Sequence, residues 1–209
     1  MILVGPLGIA SFCVLVPFAA AAAIAFVPSW RIGGWINCGA STLSFLFACA
    51  LPASVGRSGQ LLLLDGLGAH VTLLTTFVAW TTSWFSLGYV RVEFARRRLD
   101  GRRLRLYHAM YQCLVGGMVL ALLSNNLGIT WVAVETATIA AVLVVGLPRT
   151  EAAIEASWKY FIVCGVGIAL ALFGTVLLYL AALPALGPGM AAMSWSGLAG
   201  AAARCDGAC

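Results

Sequence analysis

Charged residues are scarce in this 209-residue chain: Asp, Glu, Lys and Arg make up 9%, against 62% apolar residues. Soluble domains carry about 25% charged and about 45–50% apolar residues. With a mean hydropathy of +1.01, the chain cannot clothe a globule in polar side chains, so the aqueous fold classes are excluded first. Other absences narrow the field further. There is no C-x-x-C or zinc-type spacing among the seven cysteines, no glycine-rich phosphate loop and no dinucleotide fingerprint. Neither a cofactor nor a metal site is expected. The apolar stretches lack the period-2 alternation of a membrane barrel, and open strands cannot cross lipid. A basic N-terminal region is missing too, and the first apolar stretch far exceeds the usual core of a signal peptide, so it is expected to be a retained helix. Net charge is +5, yet seven of the twelve basic residues fall between Arg91 and Arg105. That clustering speaks to membrane orientation and excludes nucleic acid as a partner.

What remains is an all-α integral membrane protein punctuated by its few charges. Each crossing needs about 20 apolar residues. The charge-free stretches give six spans, at about 2–27, 32–53, 66–90, 107–123, 127–147 and 160–183. The fourth and fifth are separated at Ser124-Asn125-Asn126, because adjacent asparagines are costly in lipid and comfortable at its surface. Residues 1–183 thus form the helical domain, the sixth helix stopping at Pro184. Residues 184–209 form an Ala/Gly-rich extracytoplasmic tail without a span. Alternate loops hold Arg31, the Arg91–Arg105 cluster, Arg149 and Lys159, against Arg57 and Arg204 on the other side. The positive-inside rule then puts the basic side in the cytoplasm and both termini outside, periplasmic in a bacterial inner membrane.

Glu135 is the prominent candidate for chemistry. Eight residues beyond Leu127 at 1.5 Å each, it lies roughly 12 Å below the outer surface. A carboxylate there costs on the order of 2.5–3.5 kcal/mol on insertion scales, and such residues usually face a bundle interior or water path. Trp131 and Ile139 flank it on one helical face, and Thr138 is within hydrogen-bond reach at i+3. Burial favours the neutral acid and a nearby cation the carboxylate, so the group suits proton uptake and release. The alternative is a structural glutamic acid bonded to a neighbouring helix. Lys159, between Trp158 and Tyr160, heads the sixth helix. Its spacing fits a snorkelling lysine with interfacial aromatics, or an inward charge partner on a proton route. Glu151 and Glu155 are expected to form a solvated helix start. Asp65 is expected to cap the third helix. His70 and His108 sit near opposite membrane faces, so they cannot clamp one haem. Cys205 and Cys209 are the one cysteine pair spaced for an extracytoplasmic disulfide.

The stretches SLGYVRVEFA (86–95), SNNLGITWVAVETATIAAVLVVG (124–146) and EAAIEASWKYFIVCGVGIALALFGTVLLY (151–179) resemble the hydrogenase-4 F subunit family. These are antiporter-like membrane subunits, related to proton-pumping subunits of respiratory complex I and to multisubunit sodium/proton antiporters. The likeness is good from about Asp65 to Ala182, rests on topology before that, and ends at Pro184. Trp-x-x-x-Glu followed by Glu-Ala-Ser-Trp-Lys-Tyr is its most specific element. One local departure is Ala137, which separates Thr136 from Thr138 where the family tends to pair two threonines.

The resemblance implies that Glu135 matches an intramembrane glutamate of a proton-transfer chain, that Lys159 matches a lysine turned inward, and that Asp65 matches an aspartate opening the third helix. It implies about fourteen helices in two inverted halves, of which this chain corresponds to the N-terminal portion. The family's central lysine helix and Pro-x-His-x-Trp-Leu-Pro signature are not within these residues. The implied partners are other membrane and peripheral subunits of a hydrogenase or complex-I-like assembly, the bilayer and protons. A proton-conducting subunit is the leading expectation. A structural anchor or assembly subunit without its own ion path, or a non-functional remnant, is the alternative.

Overall fold

The computed structural model describes residues 6–96 and 99–206, except the side chains of 6, 7, 57, 58 and 203–206. The chain runs up and down as α1 (Pro6–Phe26), α2 (Trp30–Cys49), α3 (Gly66–Ala95), α4 (Gly101–Leu123), α5 (Leu127–Val145) and α6 (Glu151–Leu186). A short antiparallel pair, β1 (Arg57–Ser58) with β2 (Leu63–Leu64), folds the α2–α3 connection. A 3₁₀ turn at Met190–Met193 and α7 (Trp195–Asp206) close the chain. The all-helical membrane architecture read from composition is the one observed.

Among the described residues, five helices are long and apolar enough to cross a membrane: Gly8–Phe26, Trp30–Cys49, Gly101–Leu123, Leu127–Val145 and Glu151–Leu186. The sixth expected span, α3, has 30 residues and so about 45 Å of length, but hydroxyl residues dilute its hydropathy. Those residues point inward. Thr72, Thr76, Ser83 and Ser86 are buried, while Leu67, Leu74, Phe85 and Trp84 are exposed. Buried hydroxyls at Thr76, Ser83 and Ser86 donate to carbonyls three or four residues back in their own helix, so these three protons are satisfied within the helix, whereas Thr72 Oγ1 has no partner among the described residues. This is an inside-out amphipathic pattern, suited to lipid outside and helix contacts within.

The core lies where α1 packs on α2 and α4 and where α4 meets α5. Cys13 and Ile24 of α1 are fully buried, so the first apolar stretch is an integral helix of the bundle. A recess lined by Ala25, Arg102, Arg103, Arg105 and Arg149 brings three connections together. Arg105 Nη1 donates to the Val27 carbonyl at 3.0 Å. The arginines read as one-sided in the sequence thus gather at one end of the bundle.

Two expectations about the second half need correction. The sixth helix does not stop at Pro184; α6 carries Pro184 inside and ends at Leu186, where Gly187 adopts a φ of 71°. Nor does it begin at Tyr160: it starts at Glu151, because Thr150 caps it by accepting a bond from the Ala153 amide at 3.2 Å. The segment after Gly187 folds back on the opposite end of the bundle. There Asn125 is the knot. Its side chain donates to the Gly59 carbonyl (2.8 Å) and Ser196 Oγ (3.0 Å) and accepts from the Ser196 amide (3.1 Å). Its backbone bonds Leu61 and Trp195. One polar turn therefore joins the α2–α3 connection, the α4–α5 turn and the final helix. The Cys205–Cys209 pairing lies outside the described side chains.

Candidate functional site

Asn126 starts α5 by accepting from the Gly128 and Ile129 amides at 3.0 and 3.2 Å. The helix then presents two unlike faces. On one, buried Ala133 and Ala140 flank Ala137 against α4. The approach is so close that a Cβ on Gly117 would stand 2.8 Å from the Ala133 carbonyl oxygen and 3.0 Å from the Ala137 nitrogen. Small residues on both helices allow this backbone contact. At about 100° per residue, Trp131, Glu135, Thr138, Val142 and Gly146 fall on the other face, toward α6. Two observations fix that register: Trp131 Nε1 donates to the Ile168 carbonyl at 2.9 Å, and Gly146 lies against Ser157.

Glu135 therefore sits in the α5–α6 interface, level with about Cys164. Its Oε2 is buried and has no hydrogen-bond partner among the described residues. Thr138 does not supply one: its hydroxyl donates to the Val134 carbonyl, four residues back in its own helix, at 3.0 Å. Trp131, one turn outward, bridges the interface through its bond to Ile168. An apolar cleft of about 300 Å³ between Val142, Gly146, Ile154, Ser157, Trp158 and Phe161 continues the same interface inward.

Lys159 stands elsewhere. Because α6 begins at Glu151, the lysine is in its third turn, not at its head. It is two residues from Ser157, which faces α5, and so projects from the far side of α6. It is 73% exposed and ion-paired with Glu155, itself 64% exposed. Within these six helices the lysine thus lies as a snorkelling lysine would, and Glu151 and Glu155 are both exposed at the start of α6, Glu155 pairing with Lys159 at i,i+4. From the Trp131–Ile168 and Gly146–Ser157 register points, Glu135 and Lys159 are offset by roughly 8–13 Å along the helix axes at 1.5 Å per residue. The structure does not bring them together.

Asp65 caps α3, accepting from the Gly68 amide at 2.9 Å. His70, in the next turn, is exposed with Nδ1 2.7 Å from the Gly66 carbonyl. His108 is fully buried in the third turn of α4. Since α3 and α4 run antiparallel, the two histidines belong to opposite ends of the bundle.

A second polar locus was not singled out in the sequence. On α3, Thr72, Thr76, Ala79, Ser83 and Ser86 recur at alternating spacings of four and three, and all are buried. On α2 and α4, which pack against α3, Asn37, Ser41, Ser44, His108 and Gln112 are likewise buried. Gln112 Nε2 donates to Asn37 Oδ1 (2.7 Å), the Asn37 carbonyl (3.0 Å) and Ser41 Oγ (3.0 Å). Cys38 Sγ reaches the Ser83 carbonyl at 3.2 Å, and Tyr111 donates to the Ala79 carbonyl at 2.8 Å. Asn37 Nδ2, Gln112 Oε1 and both His108 ring nitrogens have no partner among the described residues. Each such orphan costs about 1–3 kcal/mol. The signal available in the sequence was the heptad-like recurrence of hydroxyl residues along α3, which is invisible when only charges are tracked.

No family model matches the chain. It is 46% identical over 197 residues to the hydrogenase-4 component F homolog of Methylacidiphilum infernorum (isolate V4). The alignment takes in 94% of this chain and 41% of that relative, so the chain spans about two fifths of the relative's length. The resemblance read from 86–179 is borne out and extended: covering 94% of the chain, the likeness takes in the first two helices and runs past Pro184, where the motifs alone had ended it. A multi-pass membrane protein similar to the N-terminal part of a hydrogenase-4 component F homolog is thus what sequence and fold together show.

Proposed function

We propose that this chain is the N-terminal, six-helix portion of a membrane subunit in a hydrogenase-4 or complex-I-like assembly, and that Glu135 transfers protons within it. The observation that carries this reading is the carboxyl at Glu135: set mid-helix in the α5–α6 interface, with Oε2 buried and unpartnered among the described residues. A purely structural glutamic acid at that depth would be expected to have found a bond across the interface. The mechanism is charge coupling. Electron transfer in partner subunits alters the local field; the field changes the proton affinity of Glu135; the proton moves along the α5–α6 interface as the carboxyl is neutralised and re-ionised. No redox group is needed in this chain for that role. The basic end, with Arg102, Arg103, Arg105 and Arg149, faces the cytoplasm of a bacterial inner membrane, and both ends of the chain face the periplasm.

The outward Lys159 takes part only if another helix covers the open face of α6, whose most apolar stretch is unburied in this bundle. That same open face favours a second reading, an anchor or assembly subunit whose α6 docks on a neighbour. Glu135→Gln and Glu135→Leu in the intact membrane complex separate the two. Proton transfer predicts that the Gln variant assembles and transfers electrons normally while pumping collapses. An anchor predicts normal pumping with Gln, and impaired assembly with Leu.

A further inference from the structure

The α2–α3–α4 seam lies on the opposite side of α4 from α5: His108, Gln112, Val115 and Val119 form one stripe, and Gly117 the other. It is therefore separated from Glu135 by the bodies of two helices and does not depend on the reading given above. Within the seam the unmet groups are complementary to water and not to each other. Asn37 Nδ2 is a donor without an acceptor, and Gln112 Oε1 an acceptor without a donor. Rotating either amide by half a turn exchanges which atom is left over without removing the deficit, because Gln112 Nε2 already serves three acceptors. One turn inward on the same face of α4, a neutral imidazole offers one donor and one acceptor, and neither ring nitrogen of His108 is met. Ser44 Oγ and Thr72 Oγ1 repeat the deficit toward the other end. Gly34 leaves a side-chain-free position beside the ring: a Cβ there would stand 3.3 Å from His108 Nε2.

We propose that this seam is an internal water-binding site, in which ordered water bridges His108, Gln112 and Asn37 and brings a protonatable imidazole into contact with water inside the membrane-spanning core. Buried waters typically make about three hydrogen bonds to otherwise unmet polar groups, and the groups bridged here are fixed to two helices, Asn37 on α2 and His108 and Gln112 on α4. Water bridging them would tie α2 to α4 through their polar faces, where lipid-facing residues offer no hydrophobic drive for association.

The chain contains two histidines, which makes the test clean. The full chain, labelled with ¹⁵N-histidine and held in lipid nanodiscs, is examined by water-edited solid-state NMR. Magnetisation from water is expected to reach the His108 ring nitrogens about as fast as those of exposed His70. It is expected to slow several-fold at His108, and not at His70, in the Gln112→Leu and Asn37→Leu variants. Unchanged helix content by circular dichroism confirms that a variant is folded; if neither folds, the His108 to His70 comparison in the unaltered chain decides. Transfer to His108 that is several-fold slower than to His70 in the unaltered chain would overturn the proposal and leave the seam a dry polar contact.

Discussion

Replacing Gly117 by alanine puts one methyl group where two backbones touch. The added carbon would meet the Ala133 carbonyl oxygen at 2.8 Å, the Ala137 nitrogen at 3.0 Å and Ala137 Cβ at 3.1 Å. None of these is the end of a flexible side chain, so α4 and α5 must separate by roughly half an ångström to restore contacts near 3.5 Å. Overpacking of this kind costs about 1–3 kcal/mol. Alanine's better helix propensity offsets it by about 0.8–1.0 kcal/mol. Gly165 isolates the packing contribution, since a Cβ there meets nothing within 4 Å and gains the propensity alone. The two alanine variants should therefore differ by about 1–3 kcal/mol, or about 5- to 150-fold in the folding equilibrium. Unfolding in mixed micelles, followed by tryptophan fluorescence and titrated with sodium dodecyl sulfate, reads this difference. Equal midpoints for Gly117→Ala and Gly165→Ala would refute the close α4–α5 contact and, with it, the assignment of Glu135 to the α6 side of α5.

Asn125→Ala removes three side-chain bonds and should cost about 1.5–4.5 kcal/mol at about 0.5–1.5 each; limited proteolysis should then cut beyond Gly187 faster with helix content unchanged. Asp65→Ala should cost about 0.5–2 kcal/mol through loss of the cap, whereas Asp65→Asn should keep both stability and proton pumping; a pumping defect in a stable Asn variant would show a role beyond capping. Lys159→Gln breaks an exposed i,i+4 pair and should change the stability of this chain by about 0.5 kcal/mol or less, as measured by the same micelle titration.

The sequence made the helices legible through charge. In a chain this apolar, arginine clusters, Ser124-Asn125-Asn126 and Pro28-Ser29 mark the turns, and α4 and α5 end and begin at Leu123 and Leu127 as the asparagine pair indicated. Glu135 was legible for the same reason, as one carboxyl in a long charge-free run. Charge was silent where capping decides. Thr150 starts α6 nine residues before Tyr160, and that shift moves Lys159 from a helix end to an exposed third turn. It was silent again where polarity faces inward: α3 hides its hydroxyls at heptad spacing, and His108, weighed only as a haem ligand, proves to be part of a polar seam with Gln112 one turn away. The contacts of Asn125 with Gly59 and Ser196 span 66 and 71 residues, a separation over which local pattern carries no information.

The account turns on whether Glu135 exchanges its proton when the complex works. Infrared difference spectroscopy of the membrane complex, recorded between resting and turning-over states, observes carboxyl protonation directly. A carboxyl C=O band that appears or disappears on turnover, and is absent in Glu135→Gln while the rest of the spectrum persists, is the predicted result. The same band in both proteins, or no carboxyl change at all during normal pumping, would contradict it.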